Sequence, residues 1–102
     1  MTAQVAADLR AAADVLRRDG WTQGAYLNSD TGCRCLVGAL DYVYGRRGVG
    51  WMGDSSESEA YDALEAVIGD QSPIAWNDRR GRTADEVIAA LEAAADAAEA
   101  DQ

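Results

Sequence analysis

Apolar residues recur at helical spacing in four stretches of the chain, and glycine-bearing loops separate them. The first stretch predicts a helix from about Ala3 to Asp19, with Thr2 as its N-cap and Gly20 as its stop. Its apolar stripe is Val5, Leu9, Ala12, Ala13 and Leu16. The loop "GWTQGAYLNSDTG" follows, with Trp21, Tyr26 and Leu27 expected to anchor it onto the core. A second helix is expected to start near Cys33 or Arg34 and end at Tyr44, with Gly45 as a left-handed cap. After the irregular "RRGVGWMGD", a third helix should open on a Ser56–Glu59 capping box and stop at Gly69. Its stripe would be Leu64, Val67 and Ile68.

Pro73 pushes Ser72 towards extended geometry, so a short extended piece at Ile74–Trp76 is expected. The last helix has the strongest pattern. Thr83 and Glu86 form a second capping box, and Ala84, Val87, Ile88, Leu91, Ala94, Ala95 and Ala98 recur at i, i+3, i+4, i+7. Beyond Ala93 the stripe is alanine alone, so those turns are expected to bury little and to fray. Alternating strand patterns do not run beyond about four residues. The fold class is all-α: a compact single-domain array of about four helices with a loop-rich middle, spanning residues 1–102.

Length and composition agree with one small domain. At 102 residues and 48% hydrophobic, the chain can build a single core. It has no apolar run long enough to span a bilayer, and the charged N-terminal segment does not read as a signal peptide. Two cysteines one residue apart close no useful loop. A cytoplasmic location is therefore expected. Histidine, lysine and phenylalanine are absent, all nine basic residues are arginine, and alanine occurs 21 times. These are the biases of a GC-rich genome, so arginine in place of lysine is not by itself a sign of phosphate recognition.

Without histidine, Ser-His and Cys-His nucleophile pairs cannot form, and ordinary zinc sites lose a standard ligand. Cys33 and Cys35 supply two thiolates where a metal needs three or four ligands, so neither a metal nor a cofactor is expected. Cys35 is the weak candidate for a nucleophile, because a helix start and Arg34 could lower its pKa. Packing fits better. Cys35 would sit beside Gly38, Ala39 and Tyr42, a set whose small members suit a close helix crossing, with Cys33 a helix-start residue.

The net charge of −9 gathers in residues 54–70 and 83–102, with six carboxylates in each. Basic spots stand at Arg46 and Arg47, and at Arg79, Arg80 and Arg82. The second spot precedes a helix start and could hold an anion, although the same segment has a structural reading. In that reading Asn77 and Asp78 tie the loop to backbone two or three residues ahead or to an arginine, Trp76 packs, and Thr83 caps. Trp51 and Met52 lie among glycines in a loop and are the expected partner anchors. The expected binding residues are thus Arg46, Arg47, Trp51, Met52, Arg79 and Arg80.

Three stretches together, "GWTQGAY", "CLVGAL" and "WNDRRGRTADEVIAAL", resemble an uncharacterised domain-of-unknown-function family of actinobacteria and their phages. The matching positions are Gly20, Trp21, Cys35, Leu36, Gly38, Ala39, Trp76, Asn77, Asp78, Arg82 and Thr83, while residues 45–58 match nothing in the pattern. The resemblance spans nearly the whole chain, implies a source consistent with the GC-rich composition, and brings no activity with it.

By elimination, the expected function is that of a small cytoplasmic non-enzymatic protein that binds a host protein, and the resemblance implies that it is phage- or prophage-encoded. The first alternative is a ligand-binding or thiol-dependent enzyme domain using Cys35 with Asn77 or Asp78. The second is an acidic mimic of nucleic acid, since two acidic helices could imitate a phosphate backbone. No membrane partner is expected. Direct nucleic-acid binding is disfavoured, because five arginines in two loops would have to outweigh the overall charge.

Overall fold

The computed structural model describes residues 3–46, 55–70 and 72–100. It contains α1 (Ala3–Asp19), α2 (Leu36–Arg46), α3 (Ser55–Ile68), α4 (Pro73–Asp78) and α5 (Ala84–Ala100). Among the described residues there is no strand, and Arg34 makes isolated bridges to Trp21 and Leu27. The expected all-α fold is the one observed, with one helix more than the periodicity predicted.

α1 runs as expected. Val5, Leu9, Ala12, Ala13 and Leu16 are buried on one stripe, and Gly20 closes the helix at φ +94. There the Gly20 amide donates to the Leu16 carbonyl at 2.9 Å. Thr2, the proposed cap, lies outside the described residues.

α2 begins later and ends later than the sequence suggested. Cys33 and Arg34 stay in the loop because their backbone is already engaged: the Arg34 amide donates to Gly20 and the Thr22 amide to Arg34, both at 3.0 Å. Cys35 is the capping residue. Its carbonyl accepts the Ala39 amide at 2.9 Å, and its Sγ accepts the Gly38 amide at 3.3 Å. The helix passes through Gly45, which has no positive φ, and stops at Arg46. Gly38 serves a loop rather than a helix crossing. A Cβ there would lie 2.0 Å from the Tyr26 carbonyl oxygen, so glycine lets the loop after α1 lie directly on α2.

α3 ends on Gly69 at φ +69, as expected. Its buried face is Ala60, Ala63 and Leu64, with Ile68 packed beside it, whereas Val67 is exposed. The Ser56 half of the proposed capping box lies outside the described side chains.

The extended piece expected at Ile74–Trp76 is a helix instead. Ser72 is extended (φ −119, ψ 95), as a residue before proline should be, and its Oγ accepts the Ala75 amide at 3.2 Å. Pro73 takes the first helical position, where its missing N–H costs nothing and its fixed φ suits the turn. The same proline that argued against helix starts one.

α5 opens on the capping box read from the sequence. The Glu86 amide donates to Thr83 Oγ1 at 3.2 Å, and the Thr83 amide donates back to Glu86 Oε1 at 3.0 Å. Its alanine end does not stand apart from the core: Ala94, Ala95 and Ala98 are fully or almost fully buried. Among the described residues α1 and α5 make the most extensive helix–helix contact, and both bury alanines. Small side chains let two helices approach closely, so each methyl group is fully covered and its burial counts. α3 packs against α5 and α1, α2 against α1, and α4 against α2 and α3.

Candidate functional site

Asn77 is fully buried and connects three segments of the chain. Its Oδ1 accepts the Trp21 indole N–H at 2.6 Å and the Leu36 amide at 3.0 Å. Its Nδ2 donates to the Thr22 carbonyl at 3.2 Å and to Asp78 Oδ1 at 2.9 Å. Asp78 Oδ1 also accepts the Gly24 amide at 3.0 Å, and Gln23 Nε2 reaches back to the carbonyls of Asn77 and Arg79. Asn77 and Asp78 thus bond across the fold, beyond the local turn expected of asparagine and aspartate. They fasten the loop after α1 and the start of α2 to α4, more than forty residues away in sequence.

The rest of this motif is equally committed. The Arg82 guanidinium stacks 3.9 Å from the Trp76 ring centroid, and its Nε donates to the Trp76 carbonyl. Trp21 and Trp76 are half-buried against the core. Arg79 ends α4, and its carbonyl accepts the Arg82 amide. Arg79 and Arg80 are exposed, whereas Arg82 is turned onto Trp76 and Glu86. The three arginines before α5 therefore do not converge as one anion cradle.

Cys35 and Asp78 do meet, across a cavity of about 270 Å³ lined also by Gly24, Ala25, Tyr26 and Ile74. The thiol is almost wholly buried, and burial pushes it above its ordinary pKa despite the amides near it. At neutral pH it is a protonated thiol, a poor nucleophile. Cys33 is half-buried, and both cysteines are free. Tyr26 and Ile74 stand on the walls of the cavity with 56% and 40% of their surfaces exposed. Tyr26 and Leu27 were expected to anchor the loop. Hydrogen bonding through Asn77 and Asp78 does that work, so their side chains face outward.

A second site gathers residues that the sequence did not connect. The guanidinium carbons of Arg34, Arg18 and Arg46 lie 4.4, 5.4 and 5.8 Å from the Tyr42 ring centroid. Arg46 Nη1 donates to the Tyr42 hydroxyl at 3.0 Å, and the neighbouring guanidiniums hold that phenol below its ordinary pKa. Arg18, Tyr42 and Arg46 line a groove of about 700 Å³ along α1 and α2, walled by Ala7, Ala11, Val15 and Val43. Of the expected basic and aromatic patch, Arg46 is found here. Arg47, Trp51 and Met52 lie outside the described residues.

The acidic face of α5 is partly neutralised. Arg10 pairs with Asp96 and Glu99, Arg17 with Glu92, and Arg82 with Glu86. Among the described residues no cluster of carboxylates and thiols has the makings of a metal site. None of their helices is long and apolar enough to cross a membrane.

A family of unknown function (DUF6197) matches residues 1–97. The chain belongs to that family. No curated protein and no solved structure matches it at a significant level. DUF6197 membership agrees with the expectation of a domain-of-unknown-function family; the Gly-Trp, Cys-Leu-x-Gly-Ala and Trp-Asn-Asp stretches are features of this chain. In this member those stretches are the ones that build the Asn77 junction.

Proposed function

We propose that this protein acts by binding another protein, as a non-enzymatic cytoplasmic factor of an actinobacterial host or of a phage or prophage within it. The observation that carries the reading is the pair Tyr26 and Ile74, both exposed and both lining the Cys35 cavity. Exposed large apolar residues around a pocket are what a partner's anchor side chain covers. The cavity, at about 270 Å³, falls below the usual range for cofactor-sized ligands and suits a single large side chain. Its rim holds Asp78, which would select a partner with a basic group beside the apolar one. The GC-rich composition supports the proposed origin.

A second reading, small-ligand binding or thiol chemistry by Cys35 with Asp78, draws on the same cavity, which both residues line. The raised thiol pKa weighs against the chemistry. The acidic-mimic reading loses ground too, because four carboxylates of α5 are held by arginines of this same chain.

The test places a photo-crosslinking phenylalanine analogue at Ala25, which lines the cavity, and separately at Asp62 on α3. Host extract should yield one discrete adduct at position 25 and none at position 62. That adduct should vanish in a Tyr26→Ser, Ile74→Ser variant that melts like the parent. An adduct unchanged by the double substitution would end this reading.

A further inference from the structure

We propose that Arg18, Arg34 and Arg46, gathered on Tyr42, form a binding site for a small phosphate monoester, with the dianion at the arginines and the organic part in the groove between α1 and α2.

The first argument is charge. Three of the nine arginines of an acidic chain surround one aromatic ring, and the carboxylate among them is Asp19. Asp19 takes Nε and Nη2 of Arg18 at 2.9 and 2.8 Å, leaving Nη1 outside that pair. Its distance to Arg34 Nε is 4.0 Å, too long for a hydrogen bond. Arg34 Nε is buried and has no hydrogen-bond partner among the described residues. Three guanidiniums with Asp19 between two of them leave this end cationic, the sign a phosphate monoester needs.

The second argument is donor supply. The Tyr42 hydroxyl accepts from Arg46, which leaves its own proton for an incoming oxygen. Helix position explains part of the arrangement, since Arg18 and Arg46 lie in the last turns of α1 and α2, where a cation is favoured. Arg34 lies on no helix. It is held at the ring by the loop, through its backbone bonds to Gly20 and Thr22.

The third argument is the groove. It has the volume of a small-molecule site, and its lining includes Arg18, Arg46 and the Tyr42 phenol together with Ala7, Ala11, Val15 and Val43, while Arg34 stands on the Tyr42 ring outside that lining. Asp8 and Asp14 line it too, but Asp14 is paired with Arg17, and Asp8 accepts from Gln4.

The experiment titrates the whole protein with phenyl phosphate and, separately, inorganic phosphate. It follows arginine Nε–H and Tyr42 ring signals by NMR, with sodium chloride at equal ionic strength as the reference. Phenyl phosphate should give saturable shifts and bind more tightly than inorganic phosphate. Arg18→Gln and Arg46→Gln, both exposed positions with low folding risk, should each weaken it about ten-fold, the loss of one charge-assisted contact. Tyr42→Phe keeps the ring for stacking and should weaken binding several-fold by removing the hydroxyl. Linear shifts matching those with sodium chloride would overturn the site. So would saturable binding that survives both arginine substitutions. Equal affinity for the two phosphates would overturn the assignment of the groove to the organic part.

Discussion

The side-chain oxygen of the fully buried Asn77 lies 2.6 Å from the indole nitrogen of Trp21, joining residues 56 positions apart. The same oxygen takes the first amide of α2. Asn77→Ala leaves two donors without an acceptor, which should cost about 2–4 kcal/mol. For a domain of this size the melting temperature should fall by about 10 °C or more. Asn77→Asp should also destabilise, because it replaces the Nδ2 donor with an oxygen facing the Thr22 carbonyl and Asp78. Thermal denaturation followed by circular dichroism decides both.

Asp78 belongs to the same junction but is exposed, so water can replace much of what it gives. Asp78→Ala should cost about 1 kcal/mol and lower the melting temperature by several degrees. A parent-like melting curve combined with loss of the crosslinked partner would make Asp78 a contact residue rather than a structural one.

Gly38→Ala tests the seating of the loop. The new methyl group would stand 2.0 Å from a backbone oxygen of Tyr26, which cannot rotate away as a side-chain tip can. The loop must lift, opening the Asn77 junction with it. The expected loss is about 2 kcal/mol or more, with faster proteolysis at residues 22–30 than at residues 36–46. Gly45→Ala, where a Cβ meets nothing within 4 Å, is the matched control and should be neutral or slightly stabilising.

The two thiols should separate kinetically. Cys33 is half-buried, while Cys35 is buried with a raised pKa. Iodoacetamide at neutral pH should modify Cys33 in the native protein and reach Cys35 at the rate of unfolding. Mass spectrometry of the digested product reads the order. Faster modification of Cys35 would restore it as a nucleophile.

Alkaline pH should weaken the fold through Tyr61. Its hydroxyl donates to Asp41 Oδ1 at 3.2 Å, and burial, followed by the Asp41 charge, pushes its pKa upward. A pKa raised by folding means stability that is present below the ordinary tyrosine value of about 10 and lost as pH climbs beyond it. Cys35 acts in the same direction from a somewhat lower pH. Melting temperatures measured from pH 8 to 11 should fall, and Tyr61→Phe should flatten the upper part of that decline.

The sequence by itself determined what local chemistry specifies. The span of α1, the glycines that end α1 and α3, and the Thr83–Glu86 box are all legible there, because each depends on residues within one or two turns. The importance of Trp21, Asn77 and Asp78 was also visible, as polar and aromatic residues gathered around turns. Their partners were not, since an amide can bond nearby backbone or backbone fifty residues away, and spacing does not say which. The tertiary structure decided that α2 starts at Leu36, because the backbone of Cys33 and Arg34 was already engaged by the loop. It decided that the alanine end of α5 is core, because α1 supplies the facing surface that turns a weak apolar stripe into a buried one. It also brought Arg18, Arg34 and Arg46 onto Tyr42, a convergence of three segments with no trace in local pattern. Periodicity reports which face of a helix avoids water, whereas only the packed chain fixes what that face meets.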